Sequence, residues 1–202
     1  MIFDLLFLLI YKIKLENLKH YLVSPALKKF NKFEPKLRIA VLASGEGTNF
    51  QVLIDLWKDK KLDIDIKLLI SNKEKAGCIN RAKNSDIPYY LFLENNYENK
   101  KEFESEIITV LKESNVELIV MAGWMKIASE NFVNTFKDRI INIHPSLLPS
   151  FKGKNPIDDA LKNKVLITGC SVHFVDEEVD NGKLIIQAAL SIKTDDDLIS
   201  LT

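Results

Sequence analysis

The stretch LRIAVLASGEGTNFQVLIDLWKDK (37–60) decides the fold. LRIAVLA (37–43) is a short apolar run, and SGEGTN (44–49) breaks it with turn-forming residues. FQVLIDLWKDK (50–60) then carries Val52, Leu53, Leu56 and Trp57 at helical spacing. Strand, glycine-rich turn and helix in that order open a βαβ arrangement.

The same alternation continues downstream. IDIKLLI (64–70) reads as a second buried strand, CINRAKNS (78–85) as a short helix and PYYLFL (88–93) as a third strand. KKEFESEIITVLKES (100–114) lines Phe103, Ile107, Ile108 and Leu111 along one face, an amphipathic helix. VELIVMAG (116–123) and RIINIHP (139–145) follow as strands four and five, with no element assigned between them. Asn155 and Pro156 read as the N-cap and first residue of a short helix ending near Asn163. GCSVHFV (169–175) and KLIIQAALSI (183–192) alternate as two further strands. The predicted fold class is α/β: a mostly parallel sheet with helices on both faces and a C-terminal antiparallel hairpin.

Upstream of Leu37 the reading is different. KKFNKFEPK (28–36) is polar and basic, a linker, so residues 1–36 form an N-terminal extension to a domain over 37–202. The apolar run from Leu5 to Ile10 is far shorter than the ~20 residues of a membrane span. Asp4 stands where a signal peptide carries basic residues, so a packing helix or a non-native extension is expected, not an anchor.

With 202 residues, the chain suits one domain. Its 28 basic and 28 acidic residues cancel, so no nucleic-acid partner is expected. Cys78 and Cys170 stand far apart without CxxC spacing, which argues against a disulfide framework or zinc knuckle and fits a reducing cytoplasm.

SGEGTN lies between strand and helix, where backbone N–H groups and the helix N-terminus attract an anion. Thr48 and Asn49 add side-chain hydrogen bonds. The dinucleotide fingerprint fails because Phe50 holds its third glycine position, and the P-loop fails for want of Gly-Lys. A mononucleotide-like or sugar-phosphate ligand remains, against the alternative of a plain tight turn. Glu46 within the loop weighs against an anion unless its side chain turns to solvent.

Asn142 and His144, two apart at the end of strand five, share one face of the sheet, and Pro145 ends the strand there. An amide beside an imidazole suits an oxygen that turns negative in a tetrahedral intermediate. Asp180 precedes Asn181-Gly182, a strong hairpin signal, so it either shapes the turn or orients His144 and favours its charged form. His173 either joins this site as an accessory residue or packs as an ordinary strand residue. His144, His173 and Asp180 form no compact ligand motif, so no metal is expected. No GxSxG or HExxH motif is present, and a side-chain nucleophile is not indicated.

LRIAVLASGEGTNFQVLID, MAGWMKIAS, RIINIHPSLLPSFKG and TGCSVHFVDEEVDNGKLIIQ, in this order, resemble the phosphoribosylglycinamide formyltransferases, the folate-dependent glycinamide ribonucleotide transformylases of purine synthesis. The resemblance implies the Rossmann-like formyltransferase fold, with 10-formyltetrahydrofolate as co-substrate, glycinamide ribonucleotide as acceptor and no metal. It gives Asn142, His144 and Asp180 the catalytic positions, and Gly47, Thr48 and Asn49 the substrate-phosphate loop. By the same resemblance Met125, Lys126, Ile127, Ala128 and Asn142 border the folate, Lys100 takes the place where relatives often carry a folate-contacting arginine, and His173 matches a histidine near the active site. Ile157 occupies a place where relatives often carry histidine. The resemblance also implies a final helix, carrying a glutamate to the substrate site, which the residues up to Thr202 do not include. A monomer or homodimer fits equally. The rival readings are another folate-dependent formyltransferase, a formyltetrahydrofolate hydrolase, or a non-catalytic nucleotide-binding module.

Overall fold

A computed structural model describes residues 22–24 and 36–201; the apolar run 5–10 and all of the 28–36 linker but Lys36 lie outside the described residues. The opening unit forms as read: β2 (Leu37–Leu42), then α1 (Thr48–Lys58), then β3 (Ile64–Ser71). Next come α2 (Gly77–Lys83), β4 (Tyr89–Leu91), α3 (Lys100–Glu113) and β5 (Leu118–Met121). A short helix α4 (Glu130–Thr135) precedes β6 (Ile140–His144). The chain finishes with α5 (Pro156–Lys162), β7 (Ile167–Phe174), β8 (Leu184–Ser191) and α6 (Leu198–Leu201). The first strand, β1 (Leu22–Ser24), belongs to the N-terminal extension.

All eight described strands join one sheet in the order β1-β8-β7-β6-β5-β2-β3-β4. The pairs from β4 through β6 are parallel; β6–β7, β7–β8 and β8–β1 are antiparallel. This is the mixed sheet expected, with one strand more than the sequence reading assigned: β1 pairs along Gln187–Ala189 of β8.

The period of two along each strand feeds two cores. Ile39 and Val41 of β2, and Ala43 just after it, face α1 and α2, together with Leu53, Leu56 and Cys78. Ala40 and Leu42 face the other side, against Phe103, Ile107 and Leu111 of α3 and Phe132 of α4. Helix α3 starts firmly because Asn99 accepts the Glu102 N–H at 3.0 Å while the Glu102 carboxylate accepts from Glu98 N at 2.8 Å. Asn155 does stand at the cap of α5, ahead of Pro156, but its side chain makes no capping hydrogen bond.

The C-terminal antiparallel hairpin forms as expected: residues 175–183 connect β7 to β8, and within them the left-handed residue is Asp180, at φ 51°. Gly182 is demanded by crowding, since a Cβ there would lie 1.8 Å from the Phe174 carbonyl oxygen. Among the described residues no helix is long and apolar enough to cross a membrane.

Candidate active site

The parallel strands deliver three segments to their carboxyl edge, where open α/β sheets hold ligands. These are the 44–47 loop after β2, the 122–129 segment after β5 and the end of β6. Ser44 joins the first two: its N–H donates to the Gly123 carbonyl at 3.0 Å and its Oγ accepts from Met125 N at 3.0 Å.

At the end of β6, Ile141 and Ile143 go to the α1 side of the sheet, so Asn142 and His144 share the other face, as their spacing predicts. Across the ladder, Asn142 stands opposite His173 and His144 opposite Ser171. The antiparallel addition of β7 therefore brings His173 beside Asn142. Asn142 Nδ2 lies 3.2 Å from His173 Nε2 and 3.4 Å from Asp180 Oδ1. His173 Nε2 is itself 3.6 Å from Asp180 Oδ1.

His144 lies between two acceptors. Its Nδ1 is 3.3 Å from Asp180 Oδ2 and its Nε2 is 2.8 Å from the Phe151 carbonyl oxygen. Neither oxygen can donate when the carboxyl is ionised, so the surroundings suit a ring carrying protons on both nitrogens. His173 differs. Its Nδ1 donates to the Phe174 carbonyl at 2.8 Å. Its Nε2 faces the Asn142 amide, which can donate to it.

Asp180 is the hub. Oδ2 also accepts the Gly153 N–H at 2.9 Å, and the left-handed backbone turns the side chain inward. Burial raises the Asp180 pKa, but hydrogen bonding to His173 and Gly153 and the charge of His144 outweigh it, holding the carboxyl below its ordinary range. The segment 145–150 is anchored by Ser171 Oγ, which donates to the Ser146 carbonyl at 2.7 Å and accepts from Leu148 N at 3.0 Å. Among the described residues, no group of three or more His, Cys, Asp or Glu is arranged to hold a metal ion.

The other expected residues fall into two places. Gly47 is the left-handed residue, φ 70°, at the start of α1; Thr48 and Asn49 form its first turn without a side-chain cap. Gly47 has a packing task as well, since a Cβ there would lie 2.6 Å from Cys78 Cβ. Glu46 lies over α2, where a Cβ on Gly77 would meet its Oε2 at 2.5 Å. In the 122–129 segment, Lys126 and Ala128 line a crevice with Lys100, Trp124, Glu94 and Glu104. Lys126 pairs with Glu94, and buried Glu104 accepts the Ser129 N–H at 2.9 Å. Met125 and Ile127 are each 62% exposed, on either side of a bend at Lys126. Sequence reasoning missed the Phe151 carbonyl, the Gly153 N–H, Glu104 and Arg81; only their ionisable members leave any trace in the sequence.

Residues 37–202 match the family model described as formyl transferase. The chain belongs to the formyl transferase family. It is 40% identical over 161 residues to phosphoribosylglycinamide formyltransferase of Bacillus subtilis, covering 80% of this chain and 83% of that one. It is 42% identical over 167 residues to the human trifunctional purine biosynthetic protein adenosine-3, covering 83% of this chain. That match spans only 16% of the human protein's length. Among solved structures, the glycinamide ribonucleotide transformylase 1 of Geobacillus kaustophilus superposes with a TM-score of 0.80 at 38% identity. The superposition covers 82% of this formyl transferase chain and 88% of that one.

Proposed function

We propose that residues 37–202 form the catalytic unit of a phosphoribosylglycinamide formyltransferase, moving the formyl group of 10-formyltetrahydrofolate to the amine of glycinamide ribonucleotide in de novo purine biosynthesis. The observation that carries this reading is the junction of Asn142, His144, His173 and Asp180 at the sheet edge that also holds the 45–49 loop and the lysine-lined crevice. The loop takes the ribonucleotide phosphate on Gly47, Thr48 and Asn49. The crevice with Lys100 and the Met125–Ala128 segment borders the folate.

In the reaction the amine nitrogen attacks the formyl carbon, forming a C–N bond and a tetrahedral oxyanion. His144 Nε2–H, which points at the Phe151 carbonyl, is the donor offered to that oxygen, and the substrate competes with the carbonyl for it. Asn142 offers an amide N–H from its 3.4 Å contact with Asp180, the longer of its two. Asp180 keeps His144 oriented and compensates its charge. The C–N bond to the folate then breaks, the amine proton passes to the folate nitrogen, and formylglycinamide ribonucleotide and tetrahydrofolate leave. The proposed setting is the cytoplasm, consistent with free thiols at Cys78 and Cys170.

A folate-absorbance assay on the full chain, with glycinamide ribonucleotide, with methionyl-tRNA or with water alone as acceptor, tests the proposal. Turnover only with the ribonucleotide is the expected result. Turnover with tRNA or with water identifies one of the rival enzymes, and phosphate binding without turnover identifies a binding module.

A further inference from the structure

We infer that Arg81 of α2 is the positioning residue of the 45–49 loop, turning its peptide units so that their N–H groups face the substrate phosphate. The inference rests on the reading of that loop as the phosphate site. Arg81 Nε donates to the Glu46 carbonyl oxygen at 2.7 Å, and its Nη1 donates to Gln51 Oε1 at 3.1 Å. One residue earlier in the loop, the Gly45 carbonyl accepts from Cys78 N at 3.1 Å. Two successive carbonyls are thus drawn toward α2. In a trans peptide the carbonyl and the following N–H point in opposite directions. The N–H groups of Glu46 and Gly47 are therefore turned away from α2, toward the open side of the loop. There they join the first-turn N–H groups of α1 at Thr48 and Asn49, which have no acceptor within the helix and no side-chain cap, and successive N–H groups facing one way form an anion-binding concavity.

Two further observations fit. The Arg81 stem packs against the loop, its Cδ 3.4 Å from the place a Gly47 Cβ would take, so the clamp also holds the loop by contact. The Glu46 carboxylate lies against Gly77 on the α2 side, which removes the objection of a negative charge inside the loop. Arg81 and Glu46 are 35 residues apart, so the clamp exists only in the folded chain.

The test is Arg81→Gln in the full chain. The KM for glycinamide ribonucleotide should rise about tenfold, the order of one lost charge-assisted hydrogen bond, with kcat and the folate KM nearly unchanged. Competitive inhibition by inorganic phosphate should weaken by a similar factor. An unchanged ribonucleotide KM overturns the inference, and so does a parallel loss in kcat, folate KM and melting temperature, which marks a general structural role. If Arg81→Gln does not fold, Gln51→Leu removes the second support of the guanidinium. It should raise the same KM about threefold while leaving the folate KM alone, and no change overturns the inference. Calorimetric titration with inorganic phosphate separates this claim from the functional one. Weaker binding to Arg81→Gln than to the wild type supports the clamp even if the acceptor is not glycinamide ribonucleotide. A wild-type chain that binds no phosphate overturns both.

Discussion

Asp180 Oδ2 lies 3.3 Å from His144 Nδ1, and the same oxygen takes the Gly153 N–H at 2.9 Å. One carboxylate oxygen therefore ties the end of β6 to the chain that leaves it and to the β7–β8 connection. The second oxygen faces Asn142 and His173. Four polar side chains are fixed by one another and by backbone groups, so removing the charge at the hub disturbs orientation and electrostatics together.

Asp180→Asn tests that hub. Asn tolerates the left-handed backbone at φ 51°, so the connection keeps its shape. Its amide cannot serve all the donors the carboxylate serves, and the negative charge beside His144 is gone. We expect kcat to fall about 10²-fold or more with both KM values little changed, the pattern of an interaction lost in the transition state. Combining it with His144→Ala should cost less than the product of the single effects, because the residues act as a unit. A near-normal kcat would reduce Asp180 to a turn residue.

Acid stability gives an independent reading of the same group. The Asp180 carboxyl titrates below its ordinary range in the folded chain. A depressed folded pKa contributes stability that is complete above the unfolded value and lost as pH falls through the folded one. The difference in unfolding free energy between wild type and Asp180→Asn should be greatest near neutrality and narrow below about pH 4. Urea titrations of both chains at several pH values measure it. A constant difference would mean that Asp180 is no better stabilised in the folded state.

The parallel strands were legible as short continuous apolar runs, buried on both faces, and the longer helices α1 and α3 because their apolar period matches one buried face. Helix α4 was not, since six residues hold too few turns for a period to show; only Ser129, which caps it by accepting from Phe132 N, marks its start. Asn142 and His144 were legible through the period of two, but the nearest partner of His144 Nε2 is a backbone carbonyl, which every residue carries. The Asn181-Gly182 signal marked the β7–β8 hairpin, but not why glycine stands there, since Gly182 answers to crowding by the Phe174 carbonyl. Arg81 and Glu104 act on residues 35 and 25 positions away, a distance that only the folded chain closes.

Gly47 is needed for packing before any ligand arrives. In Gly47→Ala the new Cβ would sit 2.6 Å from Cys78 Cβ, with the Cys78 backbone close behind it at 2.9 Å, and at a φ of 70°. Left-handed strain costs about 1–2 kcal/mol and forced overpacking about 1–3 kcal/mol. A lowered melting temperature is expected even without substrate. Cys78→Gly removes the closer clash but leaves the crowding against the α2 backbone and the left-handed strain, so the double variant should recover part of the loss. Strict additivity of the two changes would show that the α1–α2 packing is not what requires glycine.

Met125 and Ile127 offer the opposite case, large apolar side chains that the fold itself does not use. Each is 62% exposed, on either side of Lys126, whose ammonium is paired with Glu94 beside the crevice. An exposed apolar pair next to a lined crevice has a use only if something covers it, and the proposed cover is the folate. Met125→Ser and Ile127→Ser should therefore leave stability within about 0.5 kcal/mol of the parent, as surface changes do. The KM for 10-formyltetrahydrofolate should rise severalfold in each, because burying one such side chain against a ligand is worth about 1.5–3 kcal/mol when complete. The ribonucleotide KM should stay where it was. This split separates the two substrate regions, since the phosphate loop reaches the segment through backbone hydrogen bonding at Gly123 and the Ser44 hydroxyl on Met125 N, which neither substitution touches. Unchanged folate KM in both stable variants would remove Met125 and Ile127 from the folate site and leave the crevice around Lys100 and Lys126 to account for it alone.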